Sequence, residues 1–268
     1  MYFLIYSALA WEPRLVNGEP ASWNERSVPY YINTDGVEDV GLSESEVESV
    51  IQNAAKIWSS SNIENATFEY SYQGSTKTVG ADLTDGEHVV SFDNSWTHGD
   101  AVLAVAHVWP DSNGNIVHFD IEVNIDGVEW TTSGEEGKHD LQNSMAHEFG
   151  HALGLEHSDD AEATMAATTP MGETIKRDLH TDDILGIATL YPYQDQDNSE
   201  TQESSAEQEA SNHSGRSSGG SISNPIDGPS NTGSGNRPVA LEKSGCSTSP
   251  TSVFWLGLLA LFQVRRRS

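Results

Sequence analysis

The 268-residue chain carries 41 acidic and 13 basic side chains, a formal net charge of −28, and one cysteine. Such a charge repels a phosphate backbone and excludes nucleic-acid binding as the chain's task. One cysteine excludes an internal disulfide framework, and the length suits a single domain of about 170 residues with a remainder too polar for a second core.

Residues 2–10 are apolar and close on Ala8-Leu9-Ala10, the small-residue pattern of a signal-peptide cleavage site, with no basic stretch before it. They read either as a truncated signal peptide, with residues 1–22 as signal and lead-in, or as a buried strand. Residues 28–33 read as a strand. Ser43 and Glu46 form a capping box ahead of Val47, Val50, Ile51, Ala54, Ile57 and Trp58 at helical spacing. Residues 67–72, 88–92, 101–109 and 116–125 read as further strands. A second helix covers about 141–153. A third starts near Thr181, with Asp182 and Asp183 at its positive end.

The second helix carries the chemistry, in the run His147-Glu148-Phe149-Gly150-His151-Ala152-Leu153-Gly154-Leu155-Glu156-His157. Histidines four apart lie just over one turn from each other, so His147 and His151 reach the same metal ion. Glu148 follows the first ligand, where a carboxylate takes the proton of an attacking water. Gly154 lets the chain leave the helix, and His157 returns as a third ligand, leaving the fourth zinc position open as catalysis requires. The full spacing arises by chance in roughly 1 chain of this size in 100,000, so scattered surface histidines are a poor explanation. Leu141, Met145, Phe149 and Ala152 form a stripe about 130° from the histidines. One helix face is thus expected on a core and another at a cleft.

Ser158 follows the third histidine, and Ala163-Thr164-Met165-Ala166 comes shortly after. With these residues the chain resembles the metzincin zinc endopeptidases, and within them the matrixins, the matrix metalloproteinase family. The stretches around Ala106-His107, His118-Phe119-Asp120 and Thr181-Asp182-Asp183 through Leu190-Tyr191-Pro192 are similar to the segments flanking the matrixin site. The resemblance covers roughly residues 23–193. It implies an α+β fold: a twisted, mixed, mostly parallel sheet with an antiparallel edge strand, packed on helices with the zinc site in a cleft. It also implies a methionine floor, Met165, beneath the zinc ligands, and a substrate lying extended along residues 103–106. Residues 166–171 would form the wall of the pocket beyond the scissile bond.

Two features depart from the family pattern. No cysteine precedes the catalytic region, so there is no thiol upstream to occupy the open zinc position. The family's structural zinc uses an H-x-D pair and two later histidines. His98-Gly99-Asp100, His107 and His118 read either as that set, with an unusually short segment between Asp100 and His107, or as polar residues on strand ends and loops. A calcium ion or a second, structural zinc therefore stays open beside the one catalytic zinc.

Residues 194–245 are rich in Ser, Gly, Asn, Gln and Glu and read as a flexible stalk, because they offer too little apolar area to offset ordering entropy. Residues 246–268 hold Cys246, a short apolar run and Arg265-Arg266-Arg267. The run is short for a stable span of about 20 residues. Gly245-Cys246, the short run and the arginines together resemble the bacterial MYXO-CTERM sorting signal; a plain membrane anchor is the alternative. The sequence therefore points to an exported, surface-attached or released zinc endopeptidase, monomeric, acting on extracellular proteins. The metal ligands are His147, His151 and His157, and Glu148 is the base. A zinc-binding adhesin of the same fold without turnover is the reading from another class.

Overall fold

The computed structural model describes residues 10–60 and 63–193, and the backbone strand Ser244–Ser247. The apolar start and the segment after Ser247, read above as signal and sorting signal, lie outside the described residues, as does nearly all of the stalk. No helix among the described residues is long and apolar enough to cross a membrane.

The lead-in forms a small hairpin of β1 (Leu15–Val16) and β2 (Glu19–Pro20). Its turn, Asn17-Gly18, has both residues at positive φ, the chemistry that tight hairpin turns favour. The lead-in is tied to the domain by the bond from the Arg14 N–H to the Gly154 carbonyl (2.7 Å) and by the Arg14–Glu156 ion pair (3.1 Å).

Strand β3 (Ser27–Ile32) alternates exposed with buried residues and enters the main sheet. Helix α1 (Glu44–Ile57) begins where the Ser43 side chain accepts the Glu46 N–H, as the capping box predicts, and buries Val47, Val50, Ile51, Ala54 and Ala55. Strands β4 (Glu69–Ser75), β5 (Val89–Asp93), β6 (Val102–Pro110) and β7 (Ile116–Asn124) follow. Next come the two-residue strands β8 (Trp130–Thr131) and β9 (His139–Asp140), then α2 (Leu141–Ala152) and α3 (Thr181–Leu190). The last element is β10 (Ser244–Ser247).

The main sheet runs β10-β6-β7-β5-β3-β4. The pairs β3–β4, β3–β5 and β5–β7 are parallel, whereas β6–β7 is antiparallel. This is the mixed, mostly parallel sheet with an antiparallel strand near one edge that the resemblance implies. Strand β10, which the sequence reading places in the stalk and tail, is added outside β6 in antiparallel sense.

Helix α2 packs against α1 and β6. Far from being amphipathic, it is buried on every side, from Asn143 through Ala152. Aromatic side chains make that burial tolerable by bonding to its carbonyls. Trp58 Nε1 donates to Ala146 O (2.8 Å), Tyr70 Oη to Phe149 O (2.8 Å) and Trp23 Nε1 to Ala152 O (2.8 Å). Each polar tip finds a partner while its ring joins the core.

His88 sits in the same aromatic layer, against Trp23, Phe119 and His118, and its Nδ1 has no hydrogen-bond partner among the described residues. Burial, with a smaller push from His118, drives its pKa down to about 3. An unfolded histidine titrates near 6.5. Between about pH 6.5 and 3 the unfolded chain therefore binds a proton that the folded one refuses. The contribution is complete above pH 6.5 and lost as pH falls. Between pH 7 and 4, wild type should lose about 3 kcal/mol more stability than His88→Phe, which keeps the ring contacts without the titration. Denaturant melts of both chains at the two pH values check this; equal losses would contradict it.

Candidate metal centre and catalytic site

The geometry of α2 sets His147, Glu148 and His151 inside the domain, all fully buried. His147 Nδ1 donates to Thr164 O (2.7 Å), and His151 Nδ1 donates to Leu155 O (2.8 Å). A backbone carbonyl only accepts, so the proton of each neutral ring is on Nδ1. Burial above all, and then the neighbouring histidines, hold both pKa values well below the usual range, so both rings are neutral at pH 7. Their Nε2 atoms therefore present bare lone pairs, and these lie 3.1 Å apart. Two acceptors at that distance in a dry interior repel each other unless a cation joins them.

His157 completes the set. Its ring lies 5.2 Å from that of His147 and 4.9 Å from that of His151. Its Nε2 is buried with no hydrogen-bond partner among the described residues, and burial again lowers its pKa. Nitrogens of His147, His151 and His157 all fall within 4.8 Å of one another. Three neutral imidazoles, at least two with Nδ1 fixed by a carbonyl, are a donor set that suits zinc. Glu148 lies beside them, its Oε2 accepting the Ala106 N–H of β6 at 2.9 Å.

The turn after α2 depends on Gly154, at φ +102°, where an added Cβ would run into the Ala21 carbonyl. Any side chain there is strained twice over, by φ and by contact. Gly150 has a different role. Its bare Cα admits Met165 Sδ and the Trp58 ring, both of which a Cβ would strike. Met165 is fully buried in the hydrophobic core, with its sulfur against Gly150, the residue before His151.

The methionine segment is held from α3. Asp183 accepts the N–H groups of Thr164 (2.8 Å), Met165 (3.0 Å) and His180 (2.8 Å). Burial pushes its pKa up while these donors pull against the rise. Asp182 accepts the Ser158 hydroxyl (2.7 Å) and the Ala10 N–H (3.1 Å). Both carboxylates, expected to serve the helix dipole, also fasten the loop that orients His147 through Thr164. Lys176, fully buried, donates to Ala166 O and to Thr169 Oγ1 (3.0 Å), pinning the segment expected to wall the substrate pocket.

The structure does not gather the second expected set. His98 and His107 meet Glu122, whose Oε2 is 3.5 Å from His98 Nε2 and 2.6 Å from His107 Nε2. His118 turns instead to Asp120 (3.1 Å) and packs edge-to-face against His88, and Asp100 is not in the cluster. Strand pleating explains this. His118, Asp120 and Glu122 alternate along β7 onto one face, and His107 is paired directly opposite Asp120, which puts Glu122 on the diagonal. Period-two reading of residues 116–124 would have found Glu122.

Residues 22–192 match the family model described as matrixin. The chain is 31% identical to karilysin of Tannerella forsythia over 176 residues, 65% of this chain and 34% of that protein. It is 33% identical to human neutrophil collagenase over 178 residues, 66% and 34% of the two chains. Similarity to metalloendoproteinase 2-MMP of Arabidopsis thaliana is 34% over 157 residues, 54% and 37%. The chain thus spans about a third of the length of these curated relatives.

Two substitutions separate floor from ligand. Met165→Leu roughly conserves volume and should lower stability by less than ~1.5 kcal/mol with zinc retained. Gly150→Ala should cost more, about 1–3 kcal/mol or beyond, because Met165 and Trp58 must both move. Thermal melts with metal analysis check both; zinc lost from Met165→Leu alone would mean that the methionine binds metal.

Proposed function

We propose, for a chain that belongs to the matrixin family, that it is an exported zinc endopeptidase cleaving peptide bonds of extracellular proteins. One observation carries this reading: two Nε2 atoms with bare lone pairs 3.1 Å apart and a third buried Nε2 with no partner among the described residues, next to a buried carboxylate. His147, His151 and His157 would hold the ion. Bound zinc supplies Lewis acidity, which brings the pKa of water to about 7 and stabilises charge developing on a carbonyl oxygen.

The chain's own groups do the rest. Glu148 takes a proton from the attacking water and passes it to the departing amine. Its bond to the Ala106 N–H sets the carboxylate against the strand that receives substrate, so the base and the scissile bond share one frame. The peptide would lie extended on residues 103–106, bonded through its backbone as strand edges bind peptides. Residues 166–171, pinned by Lys176, would close the pocket beyond the bond being cut.

Residues 23–193 form the catalytic unit in this reading, 194–245 a stalk, and 246–268 a segment that sorts the protein or attaches it to the membrane. His98, His107 and Glu122 would hold a second zinc, since two imidazoles and a carboxylate suit zinc better than calcium, which prefers oxygen ligands. The adhesin alternative draws no support from relatives named as proteinases and a collagenase.

Digestion of casein by the purified chain, abolished by a chelator and restored by zinc, tests the activity. His151→Ala should lose the catalytic zinc and turnover together. Glu148→Gln should keep the zinc, by metal analysis, and lose about 10²–10⁴-fold in kcat. Near wild-type turnover in Glu148→Gln would mean that another group is the base.

A further inference from the structure

The edge of β6 that the proposed function reserves for substrate is covered in this structure by the chain itself. Strand β10 pairs antiparallel with β6, Ser244 opposite Ala106, Gly245 opposite Val105, Cys246 opposite Ala104 and Ser247 opposite Val102. β10 also lies against α2. An edge strand presents a row of unpaired N–H and C=O groups that any extended chain can complete. Here the register brings the amino end of β10 to Ala106, the residue whose N–H is held by Glu148. The added strand therefore follows the substrate edge and begins beside the proposed base.

We propose that Ser244–Ser247 is a built-in occupant of the peptide-binding edge, competing in cis with substrate for the backbone groups of residues 102–106. The proposal rests on the reading of β6 as the substrate strand. Sequence independence is part of the argument. Ser-Gly-Cys-Ser has little strand propensity, so its pairing relies on backbone bonds, the kind of contact a protease makes with diverse substrates.

Chain length permits it. The 50 residues between Tyr193 and Ser244 span up to about 165 Å when extended, whereas a domain of ~170 residues is roughly 40 Å across. A Ser/Gly-rich linker of that length gives, by composition, an effective concentration of about 1 mM. A segment with ~1 mM intrinsic affinity would then raise the apparent KM of a competing peptide about two-fold. That restrains the enzyme without shutting it.

The test uses the full chain. Gly245→Pro with Cys246→Pro removes two successive strand N–H groups, which point to opposite sides, so the ladder loses a donor whichever one faces β6. Both chains also carry Glu148→Gln to prevent self-digestion while amide hydrogen exchange is followed. Among the amides of residues 102–106, those that face β10, other than Val102 and Ala106 whose N–H groups bond to the Gly99 carbonyl and to Glu148, should exchange at least several-fold faster in the proline variant, and the amides that face β7 should not change. In chains with Glu148 intact, the proline variant should show the lower apparent KM for a short peptide, with kcat unchanged. Equal exchange at residues 102–106 overturns the docking. Faster exchange with an equal KM overturns the competition. The exchange measurement needs no turnover, so a chain that proved not to be a protease would sink the proposed function and leave the docking result readable.

Discussion

Two neutral imidazoles in a dry interior, each with its proton committed to a backbone carbonyl, turn their remaining lone pairs toward each other at 3.1 Å. Buried acceptors without a donor are costly, and a facing pair is worse than two separate ones. The arrangement makes physical sense around a cation, and much of the surrounding structure serves to hold it. Thr164 fixes one ring and is itself fixed by Asp183 on α3. Leu155 fixes the other from just past the Gly154 turn. Met165 occupies the space that Gly150 leaves open beside α2. The candidate metal site thus joins α2, the methionine segment and α3.

The same demand shapes the fold at larger scale. A helix buried on all sides has no wet face on which to place two histidines and a glutamate. The aromatic donors Trp23, Trp58 and Tyr70 serve its carbonyls where water does not. Burial keeps the imidazoles neutral and able to bind metal at ordinary pH. It also places the Glu148 carboxylate against β6, where it accepts the Ala106 N–H and is tied to the strand edge.

Much of this was legible in the residues. The i, i+4 histidines, Glu148 and His157 follow from helical geometry and one glycine turn, and the parallel sheet with its antiparallel strand follows from the resemblance those residues carry. The misses have physical causes. Leu141, Met145, Phe149 and Ala152 suggest an amphipathic helix, but β6 and the carbonyls of Thr164 and Leu155 meet its polar side chains. Asn17-Gly18 is a hairpin signal, overlooked because the flanking strands have two residues each. Glu122 lies outside any H-x-D spacing and joins His98 and His107 only through strand alternation. Asp182 and Asp183 look like dipole partners until the Met165 loop is in place. Ser244–Ser247 pairs through its backbone, which leaves almost no trace in side-chain pattern.

The central claim is that Nε2 of His147, His151 and His157 are lone-pair donors converging on one ion. Imidazole ¹⁵N spectra of the full-length chain, recorded while zinc is added to chelator-treated protein, test it most directly. With one equivalent of zinc the account predicts that all three Nε2 resonances move together to metal-bound positions, while Nδ1 of His147 and His151 stays protonated throughout. Nε2 signals of these histidines that remain protonated, or stay unchanged as zinc binds, would contradict it.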